Sequence, residues 1–198
     1  MHVFLHHIFD FVFPPSEEEL LVRSCAHNNV TEFFSVKTTA GVIALSDYRQ
    51  PIVRALIHEA KFHQNTKAFD ILGTLLSHYV TTNLQVSGVI IIPIPLSKRR
   101  LRERGYNQVT EIIKHAGVLF EEKALARMRH TQPQTELQKE ERGKNVAGAF
   151  AVINHDLIAK KHVMLIDDVL TTGATMQAAK AALLPHNPAS ITCIALAH

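Results

Sequence analysis

LIDDVLTTGAT, residues 165 to 175, sets two adjacent carboxylates directly after an apolar run. Asp167 and Asp168 are followed by a turn in which three threonines bracket Gly173. An alanine-rich stretch from Met176 then favours a helix. The pattern predicts a strand that passes through a polar turn into a helix.

The neighbouring segments predict the rest of this sheet. KHVMLIDD (161–168) and SGVIIIPIP (87–95) are continuous apolar runs, and SITCIALA (190–197) predicts a last strand. Such runs are typical of parallel strands that are covered on both faces. Because predicted helices alternate with these strands, the sequence indicates an α/β fold with a mainly parallel sheet flanked by helices.

Several other elements are predicted from spacing. Residues 4–12 predict a short amphipathic helix that ends at Pro14, and apolar stripes predict helices after Tyr48 and from Thr66 to Thr81. LSKRRLRERGYNQ (96–108) is expected to open as a basic loop and continue into a helix. The other expected elements are a strand pair from Val118 to Met128, a loop from His130 to Asn145, a strand at 146–152 and a helix ending near Leu184.

The bulk composition indicates one domain with a small appendage. The chain has 198 residues, 46% of them hydrophobic, and a formal net charge of +3. We divide it into an N-terminal region (1–47) and a main domain (48–198).

The cysteines and the hydropathy bear on the location of the protein. Cys25 and Cys193 suggest no disulfide framework, and no run is long enough for a membrane span. With a poor signal peptide as well, a cytoplasmic location is expected.

The opening stretch has residues suited to a sugar phosphate. Ligands of open α/β sheets bind beyond the carboxyl ends of the strands, where a helix N-terminus attracts anions. The two acids can accept hydrogen bonds from ribose hydroxyls, while the threonine turn can hold a phosphate. From the residues alone, a simple helix cap is an equal alternative. A receiver-type phosphoacceptor is disfavoured because the acids lie only one strand from the C-terminus, and no P-loop motif occurs.

VMLIDDVLTTGAT (163–175) resembles the phosphoribosyl-pyrophosphate (PRPP) motif of type I phosphoribosyltransferases. The resemblance implies that Asp167 and Asp168 are the catalytic acids and contact ribose O2 and O3. It also implies that the following turn holds the 5-phosphate and that Mg²⁺ enters with PRPP, without protein ligands. The implied PRPP-binding residues are Asp167, Asp168, Val169, Leu170, Thr171, Thr172, Gly173, Ala174 and Thr175.

Three further stretches resemble the ComF family of phosphoribosyltransferase-like proteins, which is implicated in competence and DNA uptake. They are YRQPIVRALIHEAKF (48–62), PIPLSKRRLRERGYNQ (93–108) and RHTQPQTELQKEERGKNVAGAF (129–150). The likeness implies a type I phosphoribosyltransferase-like fold with a small helical N-terminal region.

The second of these stretches would bind pyrophosphate. Its implied contacts are Pro95, Lys98, Arg99, Arg100 and Arg104. A solvated basic face is the alternative, and with Arg102 some of these cations are expected to reach solvent or nucleic acid.

The third stretch corresponds by position to a mobile hood that closes over PRPP and excludes water. Its implied functional residues are Arg129, Gln134, Arg142 and Asn145.

The N-terminal region departs from the family pattern. Members typically carry a cysteine-rich zinc module after an FPP-like turn, but here Phe13-Pro14-Pro15 is followed only by Cys25 and His27 as candidate ligands. Four ligands at zinc spacing are absent, so we expect no structural zinc.

Two hypotheses of function follow. The first is an enzyme that transfers a phosphoribosyl group from PRPP with Mg²⁺ and releases pyrophosphate, with an acceptor that the sequence does not identify. The second is a non-catalytic module that binds PRPP and single-stranded DNA during DNA uptake, with competence proteins as further partners. A basic cluster supports the second hypothesis, but only Tyr106 lies near it to stack on bases.

Overall fold

The computed structural model describes residues 14–25, 32–83, 88–128 and 148–198. Within these ranges, five strands form one sheet in the order β1-β2-β7-β6-β3, and β4 pairs with β5 in a separate ribbon. The strands are β1 (Lys37–Thr39), β2 (Val42–Ser46), β3 (Val89–Pro93), β4 (Leu125–Arg127), β5 (Phe150–Val152), β6 (His162–Val169) and β7 (Ser190–Ala197).

In the five-stranded sheet, strands β2, β7, β6 and β3 run parallel to one another. The edge strand β1 is antiparallel to its neighbour β2. In the register, Ile166 lies beside Pro93 on one side and Ile194 on the other. The carboxyl ends of β3, β6 and β7 therefore meet at one edge of the sheet. This is the edge at which open α/β sheets bind ligands.

Six α-helices lie within the described ranges. They are α1 (Glu17–Ser24), α2 (Pro51–Phe62), α3 (Thr66–Asn83), α4 (Lys98–Arg104), α5 (Gln108–His115) and α6 (Ala174–Leu183). A short 3-10 turn, Leu184–His186, follows α6.

The sheet separates two apolar cores, because successive side chains of a strand point to opposite faces. Met164 and Ile166 of β6 pack with α2, α3 and α5 through residues such as Leu56, Leu72 and Ile112. Val163 and Leu165 pack on the other face with α6 and with the β4–β5 ribbon. The same alternation continues to the end of β6 and places Asp167 and Asp168 on opposite faces.

A close approach of α3 and α5 fixes the first core. Gly73 is buried in α3, and a Cβ atom at this position would lie 2.8 Å from the backbone nitrogen of Ala116. Only glycine allows α3 to approach the C-terminal end of α5 this closely.

The α/β class with a mainly parallel sheet is confirmed, and β7 coincides with the predicted last strand. The basic segment differs from the prediction. Residues 98–104 form a helix rather than a loop, because Ser97 accepts a hydrogen bond from Arg100 N at 3.2 Å and Gly105 ends the helix with φ 82°. A strand pair within Val118–Met128 was also wrong, since β4 pairs with β5 instead.

Two predictions concern the N-terminal part of the chain. The helix predicted at residues 4–12 lies outside the described residues. The domain boundary at residue 48 stays a prediction, although β1 and β2, which precede it, pair within the main sheet. No hydrophobic period predicts α1, whose N-cap Ser16 accepts a hydrogen bond from Glu19 N at 3.0 Å.

Candidate functional site

A cleft opens at the carboxyl ends of β3 and β6. Ile94 N donates to Ile166 O at 2.8 Å and Leu170 N donates to Ala197 O at 2.9 Å, so the segments after both strands are held against the sheet. The cleft has a volume of about 590 Å³. Its lining residues are Tyr48, Lys61, Phe62, Ile94, Pro95, Leu96, Arg99, Arg100, Glu103, Arg104, Gln108, Arg127, Asp167, Asp168, Val169, Thr171 and Thr175.

Asp168 is buried on the face of the sheet covered by α2 and α5, with 7% of its surface exposed. Lys61 of α2 brings its Nζ to 3.1 Å from Asp168 Oδ1, and Gln108 of α5 donates from Nε2 to Oδ2. A buried carboxylate requires such partners, because an unpaired buried charge is costly. The Asp168 carboxyl group is therefore held by side chains from two helices.

A chain of polar contacts continues from Gln108 to the mouth of the cleft. Arg104 donates from Nη1 to Gln108 Oε1, which fixes the orientation of the amide that reaches Asp168. The Arg104 guanidinium also lies 5.2 Å from the ring centroid of Phe62, a distance at which cation–π attraction operates. One basic side chain of α4 is thereby connected to the acid at the end of β6.

The residues between α4 and α5 set this geometry. Tyr106 donates from its hydroxyl to Ala60 O at 2.8 Å and accepts from Gln64 N at 3.2 Å. Asn107 donates from Nδ2 to Ile94 O at 3.1 Å and caps α5 by accepting from Val109 N at 3.1 Å. These bonds fasten the start of α5 to both α2 and β3, and Gln108 is the next residue.

Asp167 lies on the other face, beside the start of α6, and is half-buried. Its Oδ1 accepts from Asp168 N at 2.9 Å. Burial, and then the charge of Asp168, raises the pKa of Asp167 to about 7, while the Asp168 N–H, Lys61 and Arg127 oppose the rise. Asp167 thus has fewer stabilising side-chain contacts than Asp168. A ligand that donates a hydrogen bond to Asp167 would stabilise its charged form.

The turn after β6 has the geometry of an anion site. Gly173 has φ 76°, in the left-handed region that favours glycine, and it is the N-cap of the ten-residue helix α6. Thr172 Oγ1 accepts from Ala174 N at 3.4 Å. Leu170, Thr171, Gly173, Ala174 and Thr175 line a small cavity that also contacts Asp167. N–H groups at the start of a helix carry the positive end of its dipole and attract a phosphate.

The basic residues of α4 divide between the cleft and solvent. Arg99, Arg100 and Arg104 line the cleft together with Pro95, and their predicted contact with pyrophosphate stays a prediction. Lys98 and Arg102 are exposed and do not line it, and Arg102 instead donates from Nε to Lys98 O at 3.3 Å. A helical rather than extended conformation causes this division, because neighbouring residues in a helix point about 100° apart.

Sequence reasoning missed Lys61, Gln108 and Arg127 as residues of the site. Arg127 lies 5.3 Å from the ring centroid of Phe150, and burial and the nearby Arg100 lower its pKa. Gln108 stands within a quoted motif, but its partner is 60 residues away in sequence, so only the fold brings the two together. The predicted hood residues Arg129, Gln134, Arg142 and Asn145 lie outside the described residues.

Comparisons with known proteins identify the family. The sequence profile of the phosphoribosyl transferase domain family matches residues 98–198. DNA utilization protein YhgH of Escherichia coli O157:H7 is 30% identical over 160 residues, which cover 76% of this chain and 68% of that protein. Competence protein ComFC of Streptococcus pneumoniae is 35% identical over 89 residues, covering 45% of this chain and 39% of that protein. The chain belongs to the ComF family of phosphoribosyltransferase-like proteins.

The fold of this ComF-family protein is of the type I phosphoribosyltransferase kind, with a mainly parallel sheet flanked by helices. A solved hypoxanthine phosphoribosyltransferase from Staphylococcus aureus aligns with a TM-score of 0.39 and 17% identity, covering 64% of this chain and 61% of that one. None of the helices in the described ranges has the length and apolar character needed to cross a bilayer.

Proposed function

We propose that this ComF-family protein binds PRPP with Mg²⁺ and transfers its phosphoribosyl group to an acceptor, with release of pyrophosphate. The observation that carries the proposal is the position of Asp167 and Asp168 at the end of β6, between the Thr171–Thr175 turn and a cleft lined by cations. In this arrangement the phosphate turn, the acids and the basic side chains follow the order of the 5-phosphate, the ribose and the pyrophosphate in PRPP.

The two acids would act on the ribose in different ways. Asp167 has one oxygen bonded to the Asp168 N–H, and it faces both the cleft and the turn. It would accept a hydrogen bond from a ribose hydroxyl, which also favours its charged form. Asp168 keeps its bonds to Lys61 and Gln108, and a second ribose hydroxyl would share its oxygens. The 5-phosphate would then lie on the N–H groups of the turn.

The cleft is suited to magnesium that arrives with PRPP rather than to magnesium bound by the protein alone. Both Asp168 oxygens already have partners, and the cleft contains Lys61, Arg99, Arg100 and Arg104 close to the acids. Such a positive surface does not favour a bare divalent cation, whereas Mg²⁺ commonly binds through substrate phosphates and water. When bound, the ion would neutralise charge on the pyrophosphate.

Catalysis would consist mainly of positioning and charge stabilisation. The bond between ribose C1 and the pyrophosphate oxygen breaks as positive charge develops on the ribose, and the leaving group takes up negative charge. Arg99 and Arg100, on the side of the cleft after β3, are placed to stabilise that charge. The carboxylates opposite would hold the sugar in one orientation while the acceptor approaches C1.

Pyrophosphate release is the direct test of transfer. Purified full-length protein is incubated with PRPP and Mg²⁺ alone and with each of a panel of nucleobases and other nitrogen acceptors, and pyrophosphate is measured with a coupled assay. Release that depends on one acceptor and is lost in Arg99→Ala/Arg100→Ala supports the proposal. PRPP binding without acceptor-dependent release would instead support a non-catalytic PRPP module.

A second candidate function is binding of single-stranded DNA in competence. One observation favours it: Lys98 and Arg102 are exposed on α4 outside the cleft, beside the exposed residues Arg99 and Arg100. The names of the relatives in Escherichia coli O157:H7 and Streptococcus pneumoniae refer to DNA utilization and competence. Cytoplasmic location and competence-protein partners are part of the same proposal.

A further inference from the structure

The last turns of α2 and the residue that follows them bring three metal-ligating side chains together, away from the acids of the cleft. His58, Glu59 and His63 each offer a ligand atom, and these atoms lie within 4.8 Å of one another. Their ligand types are two imidazoles and one carboxylate. This set is typical of Zn²⁺ sites that keep an open position, and of related divalent transition metals.

The histidines of this group have free coordinating capacity. His58 Nδ1 is buried and has no hydrogen-bond partner among the described residues. Buried polar atoms without a partner are uncommon in proteins, so such an atom points to a missing ligand. The ring of His58 lies 5.5 Å from that of His63, centroid to centroid.

Glu59 is oriented as a metal-binding carboxylate would be. It is buried, with 2% of its surface exposed. Its Oε2 accepts from Asn65 Nδ2 at 3.0 Å, while Oε1 lies 4.0 Å from His63 Nε2. One oxygen is therefore fixed by an amide and the other faces an imidazole. A carboxylate held by a hydrogen bond on its second oxygen is the usual outer arrangement around a bound metal.

The backbone around these ligands is already fixed. Asn65 Oδ1 accepts from Ala68 N at 3.2 Å and so caps α3, while Tyr106 bonds both Ala60 O and Gln64 N across the turn. His63 has 53% of its side chain exposed and is free to rotate. Donor atoms around Zn²⁺ lie about 3.3 Å apart, given bond lengths of about 2.0 to 2.1 Å in a tetrahedron. A rotation of His63 toward Glu59 closes most of the remaining gap.

We propose that His58, Glu59 and His63 form an exchangeable site for a divalent transition metal, with Zn²⁺ as the preferred ion. The three ligands lie outside the proposed PRPP contacts and outside residues 1–47, so this site is distinct from the family's cysteine-rich zinc module. It has three protein ligands, and one of them, His63, is half-exposed. The metal can therefore enter and leave the folded protein. Lys61 and Phe62 lie between the ligands in sequence and line the cleft, so an occupied site stiffens that wall of the cleft.

Metal titration of the full chain tests this proposal. Co²⁺ is added to chelator-treated protein, its visible absorption is followed, and Zn²⁺ is then used as competitor. We expect one site with the absorption of low-coordinate cobalt, displaced by one equivalent of Zn²⁺. His63→Ala removes a half-exposed ligand without disturbing the core, and should weaken Zn²⁺ binding at least tenfold, as loss of even an outer partner typically does. His58→Gln should weaken it similarly.

The control is His186→Ala. His186 and His155 form a separate pair with their Nδ1 atoms 3.1 Å apart, and His186 contributes nothing to the proposed group. Equal Zn²⁺ affinity in this control and the parent, with loss in His63→Ala and His58→Gln, supports the site. Unchanged binding in both latter variants, loss in His186→Ala alone, or no displaceable Co²⁺ spectrum in the parent would overturn it.

Discussion

Lys61 Nζ lies 3.1 Å from Asp168 Oδ1, so an acid of β6 that is implied in ribose binding is paired with a cation from helix α2. The lysine is mostly buried, with 21% of its side chain exposed, and it lines the cleft. It therefore adds positive charge to the cleft and fixes the position of the Asp168 carboxyl group. Two of its three ammonium hydrogens remain for a phosphate oxygen.

Lys61→Met should weaken PRPP binding about tenfold, equivalent to about 1.4 kcal/mol, because the cleft loses a cation and Asp168 its ion pair. Isothermal calorimetry with PRPP and Mg²⁺ measures the change. Lys37→Met is the matched control, since Lys37 pairs with Asp47 at 3.9 Å and does not line the cleft. Tighter binding in Lys61→Met would mean that the lysine competes with ribose for Asp168.

The raised pKa of Asp167 predicts a pH dependence of stability in the absence of ligand. Its folded pKa of about 7 exceeds the unfolded value of 3.8, so the folded state binds more protons between these pH values. The free energy of unfolding should therefore fall as pH rises through that window. Asp167→Asn should remove this slope and stabilise the unliganded protein at pH 8 by on the order of 1 kcal/mol. Urea unfolding at pH 5 and pH 8 checks both; an unchanged slope in the variant would contradict the assignment.

Gly73→Ala should destabilise the protein, although alanine is the better helix former by about 1 kcal/mol. The added Cβ would meet the backbone of His115 and Ala116 at 2.8 Å, and backbone cannot rotate away. Overpacking of this kind costs about 1 to 3 kcal/mol, so the net change should be a loss. Thermal unfolding measures it. A melting temperature at or above that of the parent would show that α3 and α5 can separate at no cost.

Single-stranded DNA binding should be weak and sensitive to salt if the exposed face of α4 carries it. Neutralising Arg99, Arg100 and Arg102 to alanine should weaken binding and reduce the slope of log affinity against log salt by up to about 2. The control is the triple variant Lys123→Ala/Lys160→Ala/Lys161→Ala, which removes the same charge from exposed positions elsewhere. Fluorescence anisotropy with an oligonucleotide compares them. Equal losses in both variants would show a response to net charge alone.

The strands that position the site were predictable because burial on both faces leaves a continuous apolar run, as in β6 and β3. Helix α4 has no buried residues, so its sequence lacks a hydrophobic period and was predicted to be a basic loop. In the structure, Ser97 caps its N-terminus and Gly105 caps its C-terminus. Local sequence likewise identified Asp167 and Asp168. It could not identify their partners, because Lys61 and Gln108 reach Asp168 only through the packing of α2 and α5 on the sheet.

The central claim is that Asp167 and Asp168 bind the ribose of PRPP, and calorimetry of the double variant Asp167→Asn/Asp168→Asn tests it most directly. Each amide keeps the size of the carboxyl group but loses its charge and half of its acceptor capacity. Asp156→Asn, at an exposed acid outside the cleft, is the control, and circular dichroism verifies the fold of each protein.

We expect the parent and Asp156→Asn to bind PRPP with Mg²⁺ equally, and the folded double variant to show no measurable heat of binding. Equal PRPP affinity in all three proteins would show that the acids only cap the turn after β6, and the account of the site would be wrong.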